Sequence, residues 1–484
     1  MDKINLLSQN LSLFLILTIS SFFALIGIIY SKKHRGLDNY LIAIRDVGAL
    51  SITTSLVASA LGTWILFGPA SAATWGGIGA VIGYSLGTAF PMIALIFLGT
   101  KLRKMFPKGK TLTEFIRKKF GKNLFKLVLI LTIFYMFIFL CAEITAVAIL
   151  VQYISETALW ITAIIVITTA LVYTLYGGLR ASIFTDNIQF FIFIFLLLIS
   201  ANYLLSSGNN EFSFEIIKQK APHLLSINYI SNFTAGLTFF IAVAATNLFH
   251  QGNWQRVFAA KNNQVLKKSL LISFFIIIPI VFFMGFSGLV AVSQNLSVNP
   301  DLAFFSILLK DQTKILSLIV IVLAISLTVS TVDTLINAIS SLVIVDGENI
   351  LKLNSKVNFL RLSRYFIIFL SLIAFIIASK GFSILYLFLL ADLLCCAAVF
   401  TVFYGFYQRK FEENKAIISI MLGLFLGLLL FPSPDFSKSI LVGTLLPYDL
   451  FPQIVSSSLL FWSFLLATVG PAIVIMNYDS FKRR

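Results

Sequence analysis

Charge is scarce in this chain and cysteine is nearly absent. Charged residues make up 12% of the 484 and hydrophobic residues 59%, with a mean hydropathy of +0.97. A soluble globular chain carries about a quarter charged residues, so the composition excludes a soluble domain and places the protein in a bilayer. The three cysteines, Cys141, Cys395 and Cys396, sit in apolar stretches without even spacing. That excludes a disulfide framework or a metal knuckle and leaves them as packing residues. His34, His223 and His250 are scattered among predicted connections, so no metal site follows from them. Zinc spacing, nucleophile motifs and phosphate-binding glycine loops are missing, and the paired acids lack a partner base, which argues against an enzyme.

What is present is apolar length. A spanning helix needs about 20 apolar residues. The chain offers 13 such segments, approximately 11–30, 47–70, 72–99, 124–152, 158–176, 183–204, 231–249, 269–295, 316–343, 362–379, 383–407, 415–431 and 454–476. The first is long, poorly charged at its front and without a small-residue cleavage pattern before Lys32, so it reads as a retained helix rather than a signal peptide.

With the amino terminus outside, the clusters Lys32 to Arg45, Lys101 to Lys126, Arg180, Arg256 to Lys268, Lys352 to Arg364, Arg409 to Lys415 and Lys482 to Arg484 all fall on one side. Only seven of the 36 Lys and Arg, namely Lys3, Lys218, Lys220, Lys310, Lys314, Lys380 and Lys438, fall on the other, leaving 29. That asymmetry makes the basic side cytoplasmic and the protein a multi-pass component of the cell membrane, amino terminus outside and carboxyl terminus inside. The net charge of +16 is then an orientation signal and calls for no nucleic-acid partner.

In this orientation the unit from the second to the sixth helix and the unit from the seventh to the eleventh cross in opposite senses. Such inverted repeats are the usual plan of secondary transporters, with broken helices meeting near the midplane. The expected breaks are Ala58-Ser59-Ala60-Leu61-Gly62-Thr63 in the second helix, followed by Gly68-Pro69, and Ala244-Ala245-Thr246-Asn247 running into His250-Gln251-Gly252-Asn253 in the seventh. Gly62 is equally compatible with plain helix packing. Residues 1–37 form an additional spanning helix, 38–410 a transport core with repeats at about 47–204 and 231–407, and 411–484 two further spans with a short basic tail.

Polar residues inside the apolar runs carry the functional signal. Ser326, Ser330, Asp333, Thr334, Asn337 and Ser341 recur at three- and four-residue spacing and share one helix face. A carboxylate and hydroxyls facing inward from a spanning helix mark an ion or solute pathway by default. Glu143, Asp186 and Asp392 are the other carboxylates within predicted spans, and no Lys or Arg is expected at comparable depth. Unpaired acids in a low dielectric are either protonated or neutralise a passing cation.

The segments DNYLIAIRDVGALS (38–51), TLTEFIRKKFG (111–121), YGGLRASIFTDNIQ (176–189), NWQRVFAAKN (253–262) and VSTVDTLINAISSL (329–342) resemble, in order and spacing, the recurring segments of the sodium/solute symporter family, which includes proline, glucose and sialic acid cotransporters. The resemblance implies an all-α, LeuT-type inverted-repeat fold with broken second and seventh helices, and sodium-driven uptake with Na+ as the coupling ion. It also implies a main sodium site in which the hydroxyls of Ser330 and Thr331 act with the carbonyls of Ala58, Leu61 and Leu327. Oxygen suits a hard cation, although either hydroxyl can equally bond back to a carbonyl four residues earlier. In some members the positions of Asp186, Ser330, Asp333 and Thr334 hold a second cation on the exit route. Here Asp333 stands where a hydroxyl is more usual, so sodium and a proton are both open, and Asp186 equally suits a helix cap after Gly177-Gly178.

For the solute, the candidates are Glu143, Asn247, Gln251 and Asp392, each of which also suits an interhelical hydrogen bond. An acid- and amide-rich cavity without a fixed cation disfavours a carboxylate solute and favours a donor-rich or cationic one. The run HQGNWQRVFAAKN (250–262) resembles the urea and polyamine branch of the family. Trp64, Trp75 and Trp254 flank the expected breaks as gate candidates, and Trp160 and Trp462 read as interface anchors. The expected partners are a small solute, sodium and the lipid bilayer. Two alternatives are a proton-coupled or facilitative carrier using Asp186 and Asp333, separable by sodium dependence, and a transporter-like sensor, for which the eight residues after Met476 leave no room.

Overall fold

Hydrocarbon offers backbone polar groups no partners, so a spanning chain must close its hydrogen bonds within each segment. A computed structural model describes residues 6–34, 36–206, 212–296, 299–351, 358–408, 411–445 and 453–482, and these are helical throughout apart from connections and two isolated bridges, Val47 with Ala260 and Pro432 with Ser439. The principal helices are α1 (Gln9–Lys33), α2 (Ala49–Ala60), α3 (Gly68–Met105), α4 (Leu112–Phe120), α5 (Lys122–Ser155), α6 (Leu159–Ser206) and α7 (Ile230–Phe249). They continue with α8 (Gln251–Ala259), α9 (Asn263–Ser293), α10 (Lys314–Leu351), α11 (Phe359–Ala378), α12 (Ile384–Gly405), α13 (Glu413–Leu430) and α14 (Leu459–Lys482). Lys3, Arg35, Lys352, Lys356, Arg409, Lys410, Arg483 and Arg484, which the charge asymmetry counts, and the core boundary at 410 lie outside the described residues.

Eleven of these helices are long and apolar enough to cross a membrane. The difference from the thirteen expected arises at two places. The 48-residue α6 would be about 72 Å long if straight, more than twice the roughly 30 Å hydrocarbon thickness. It is interrupted at Gly178, where φ is 60° and ψ −160°, between the two apolar segments read separately in the sequence. The other is α2, whose 12 residues are too few to span alone. It stops at Ala60, and the chain resumes as a tight helical turn over Thr63–Leu66 before α3. Gly68 and Pro69, expected at the end of the second span, instead open α3.

The interior is apolar and continuous, and it is drawn together by small residues. Along α3, Gly79, Gly83 and Gly87 repeat every four residues. A methyl group at Gly79 would lie 1.8 Å from the Asn232 carbonyl oxygen, and one at Gly83 2.1 Å from that of Gly236. Backbone therefore rests on backbone between α3 and α7, a contact that only glycine permits. On the end bearing the basic loops, α4 is a short amphipathic helix capped by Thr111. Thr111 Oγ1 accepts from Glu114 N (3.1 Å), and a Glu114 carboxylate oxygen accepts from Lys110 N (3.2 Å).

The Gly178 interruption yields a prediction. Its φ and ψ fall in a region essentially reserved for glycine, and an added Cβ would meet Tyr40 Cδ2 at 2.4 Å. Gly178→Ala should cost about 1–3 kcal/mol, read as a lower thermal midpoint in detergent, whereas Gly48→Ala, with φ at −76° and nothing within 4 Å of the added Cβ, should cost less.

Candidate functional site

Where α2 stops, the backbone ladder skips. The last helical bond runs from Leu61 N to Val57 O (2.9 Å) and the next from Ile65 N to Gly62 O (3.2 Å). Two of the three intervening donors are taken by Glu143 of α5, whose carboxylate accepts from Thr63 N (2.9 Å) and Trp64 N (3.3 Å). Thr63 is tied to α10 through its hydroxyl, which bonds the Ala324 carbonyl (3.1 Å) and the Thr328 hydroxyl. Gly62 has no room for a side chain, because a Cβ would lie 2.3 Å from Glu143 Oε1 and 2.7 Å from Thr331 Oγ1. The break, the Glu143 carboxylate and the Thr331 hydroxyl thus meet at one fully buried point.

Ser330 and Thr331 spend their protons inside the protein. Thr331 donates to Leu327 O (3.2 Å), the back-bond foreseen for it, while Ser330 donates to Asp186 Oδ1 (2.6 Å). Each hydroxyl oxygen keeps lone pairs for another partner.

The expectation that no basic group lies deep is overturned by Arg256. Its side chain is wholly buried and pairs with Asp186 at 2.7 Å. The same guanidinium donates to Ser55 Oγ of α2 (2.9 Å), Thr334 Oγ1 of α10 (2.9 Å) and the Gly252 carbonyl (3.2 Å). The other Asp186 bond is from Ser55 Oγ (2.6 Å). Asp333 lies beside this knot and accepts from Tyr173 (2.6 Å), Ser182 (2.8 Å), Thr185 (3.3 Å) and Thr334 (3.4 Å). Arg256 was grouped with a loop because Lys261, Lys267 and Lys268 follow it. All nine residues of α8 are in fact buried, so the charge is carried inward. Two carboxylates and one guanidinium join α2, α6, α8 and α10, and Asp186 serves as an ion-pair partner rather than a helix cap.

Next to the first break lies a small cavity, about 20 Å³ in this conformation, lined by Ser59, Ala60, Trp64, Tyr84, Phe139, Val243, Thr246, Asn247, His250, Phe388 and Asp392. Trp64 stacks on Tyr84 (5.6 Å between centroids), and Phe388 meets Phe139 edge-on (4.7 Å). Asp392 Oδ1 accepts from Thr246 Oγ1 (2.6 Å). No Lys or Arg lines the cavity.

Of the four residues assigned to the solute, the structure brings two into this cavity, Asn247 and Asp392. Glu143 is engaged at the helix break. Gln251 points toward the α4 connection, accepting from Leu112 N (3.3 Å) and donating to Lys110 O and Ser341 Oγ (both 3.4 Å). Trp64 lines the cavity, Trp75 is partly exposed, and Trp254 is buried with its indole donating to Leu248 O (2.8 Å).

The sodium:solute symporter family model matches residues 40–423. The chain belongs to the sodium:solute symporter family. Among relatives, a spermidine transporter of Candida albicans is 25% identical over 409 residues, covering 83% of this symporter and 77% of the relative. The sodium/myo-inositol cotransporter 2 of Bos taurus is 24% identical over 449 residues, covering 82% of the symporter and 66% of the cotransporter. The fold is shared with a Na+-coupled sialic acid symporter solved in a substrate-bound outward-open state, at a TM-score of 0.73 and 15% identity, with 97% of this chain and 98% of that one covered. The symporter is an integral, multi-pass membrane transporter and not an enzyme.

Three features escaped the sequence: the burial of Arg256, the place of His250 in the cavity, and the rings of Tyr84, Phe139 and Phe388 that join Trp64 there. For Arg256 a usable signal existed, since it sits four residues after Gly252 on the short helix that follows a break. Removing one partner of a buried ion pair costs about 3–5 kcal/mol because the other charge stays buried. Arg256→Gln and Asp186→Asn should each lower stability by that order, while the double variant costs less than their sum, as a thermal-unfolding cycle would show.

Proposed function

We propose that this symporter imports a small cationic, hydrogen-bond-donor-rich solute together with sodium by alternating access. The observation that carries the reading is the cavity: one carboxylate, Asp392, and the four rings of Trp64, Tyr84, Phe139 and Phe388, with no Lys or Arg to receive an anion. Ring faces attract ammonium groups by about 0.5–2 kcal/mol each, and a carboxylate partner adds a charge-assisted hydrogen bond. Asn247 supplies a polar contact on the same wall. The similarity to a spermidine transporter supports this class, and so does the lack of a guanidinium in the cavity. Glu143 and Gln251 serve this reading indirectly, by shaping the break and the inner connection.

Sodium binds between α2 and α10, to the carbonyls of Ala58, Leu61 and Leu327 and the hydroxyls of Ser330 and Thr331. Support comes from the placement of Thr331 against Gly62 and from the carbonyls that the skipped ladder releases. The two inverted five-helix units, broken at Gly62 and His250, rock about these sites. The basic-loop end is cytoplasmic, and the Arg256 knot closes that end until an arriving cation competes for Asp186. Inward movement of each charge gains about 2.3 kcal/mol per 100 mV of membrane potential. A proton-coupled reading draws on one observation, the pair Asp186 and Asp333 sharing a single guanidinium through Thr334; there the second site carries a proton rather than a cation.

In proteoliposomes, uptake should require external sodium and fail in potassium. Sodium-independent uptake driven by a proton gradient would favour the alternative. Ser330→Ala with Thr331→Ala should raise the half-activating sodium concentration about tenfold, equivalent to about 1.4 kcal/mol of lost cation binding. Asp392→Asn should weaken amine binding by about 2–5 kcal/mol while sparing the sodium-induced thermal shift.

A further inference from the structure

The cavity contains a polar group that neither the sodium site nor the Asp392 pole uses. His250, at the junction of α7 and α8, is 4% exposed, and both ring nitrogens lack a hydrogen-bond partner among the described residues. Buried side-chain polar atoms nearly always have partners, and a partnerless pair on one ring costs stability unless something else fills the need. The ring is held in place from two sides. Phe139 meets it edge-on at 6.3 Å, and Gly252 leaves it space that a Cβ would take, at 2.7 Å from Cε1. The main chain is fixed as well, because the His250 carbonyl accepts from Asn253 N (2.9 Å) and Trp254 N (3.3 Å) at the start of α8.

A packed imidazole with idle nitrogens on the wall of this cavity is a waiting acceptor. Resting on the cationic reading given above, we infer that His250 accepts a hydrogen bond from a second donor group of the solute. The first donor group is the ammonium at Asp392, where Thr246 occupies only Oδ1 and leaves Oδ2 free. The cavity then has two acceptor poles, one anionic and one neutral, sharing aromatic walls. That chemistry fits a short aliphatic amine with N–H or O–H at its far end, such as a diamine or an amino alcohol. A simple alkylamine would leave His250 unpaired.

The test uses three probes of equal length on the purified full-length protein in sodium: diaminobutane, aminobutanol and pentylamine, which end in ammonium, hydroxyl and methyl. Wild type should bind the first two about tenfold more tightly than pentylamine, since a site built to hydrogen-bond a donor rejects the analogue lacking it. His250→Phe should shrink that gap below about threefold through weaker binding of the two donor-bearing probes, and His250→Gln, whose amide oxygen accepts, should retain most of it. Equal wild-type affinity for aminobutanol and pentylamine overturns the assignment. So does an undiminished gap in His250→Phe. Binding that depends on Asp392 but ignores the far end sinks His250 alone, whereas failure of all three probes to bind sinks the cationic reading together with it.

Discussion

The arrangement at Glu143 governs everything near the centre of this protein. Interrupting a helix in a membrane frees donors and acceptors together, and an unmet group of either kind costs several kcal/mol in hydrocarbon. Here the two sides of the break are treated differently. The carboxylate of Glu143 takes the N–H groups of Thr63 and Trp64, so two of the three freed donors are met by the protein. Ala60 O is taken by the Trp64 indole N–H (3.2 Å), and the other freed carbonyls keep their electron pairs. A break whose donors are largely capped by an acid from a neighbouring helix presents mainly oxygen, which is the surface a hard cation needs. Gly62 makes this geometry attainable, because any side chain there would displace either the carboxylate or the Thr331 hydroxyl.

A second economy appears in the Arg256 knot. A lone guanidinium in a buried position would be prohibitively costly, yet Asp186, Ser55, Thr334 and the Gly252 carbonyl meet it together. Four helices are thereby fastened by one side chain, with Gly252 alone between the Thr334 side of the knot and the His250 ring. That fastening is ionic, so under the proposed cycle it is open to competition from a cation in a way that an apolar seam is not. The same polarity explains why Asp333 lies so close by, wrapped in hydroxyls from α6 and α10.

Much of this was readable from residue order and some was not. The interruptions were visible because Ala58 to Thr63 and Ala244 to Asn253 place small and polar residues inside apolar runs, a local property. The length of α6 concealed a turn that Gly177-Gly178 announced. Rotation about the helix axes was not readable. Glu143 and Asp392 look alike in sequence, each an acid amid aliphatic neighbours, yet one faces a broken backbone and the other a cavity, and only packing decides which. Gln251 and His250 are adjacent but point to different compartments because the chain kinks between them, with ψ 107° at His250. Arg256 was hidden by its exposed basic neighbours. Trp64 was marked by its place beside the break, but Tyr84, Phe139 and Phe388 were hidden for a statistical reason, since 49 phenylalanines and 15 tyrosines make any three unremarkable until they share a space.

The glycine seam between α3 and α7 bears on how such a machine can move. Side chains let packed helices slide, because they can exchange rotamers as ridges pass over grooves. Where main chain lies against main chain at Gly79, Gly83 and Gly87 there is nothing to rearrange, so these two helices are geared together. Displacement of α7 must carry α3 along with it, and because Tyr84, between Gly83 and Gly87, lines the cavity, the seam runs beside that wall.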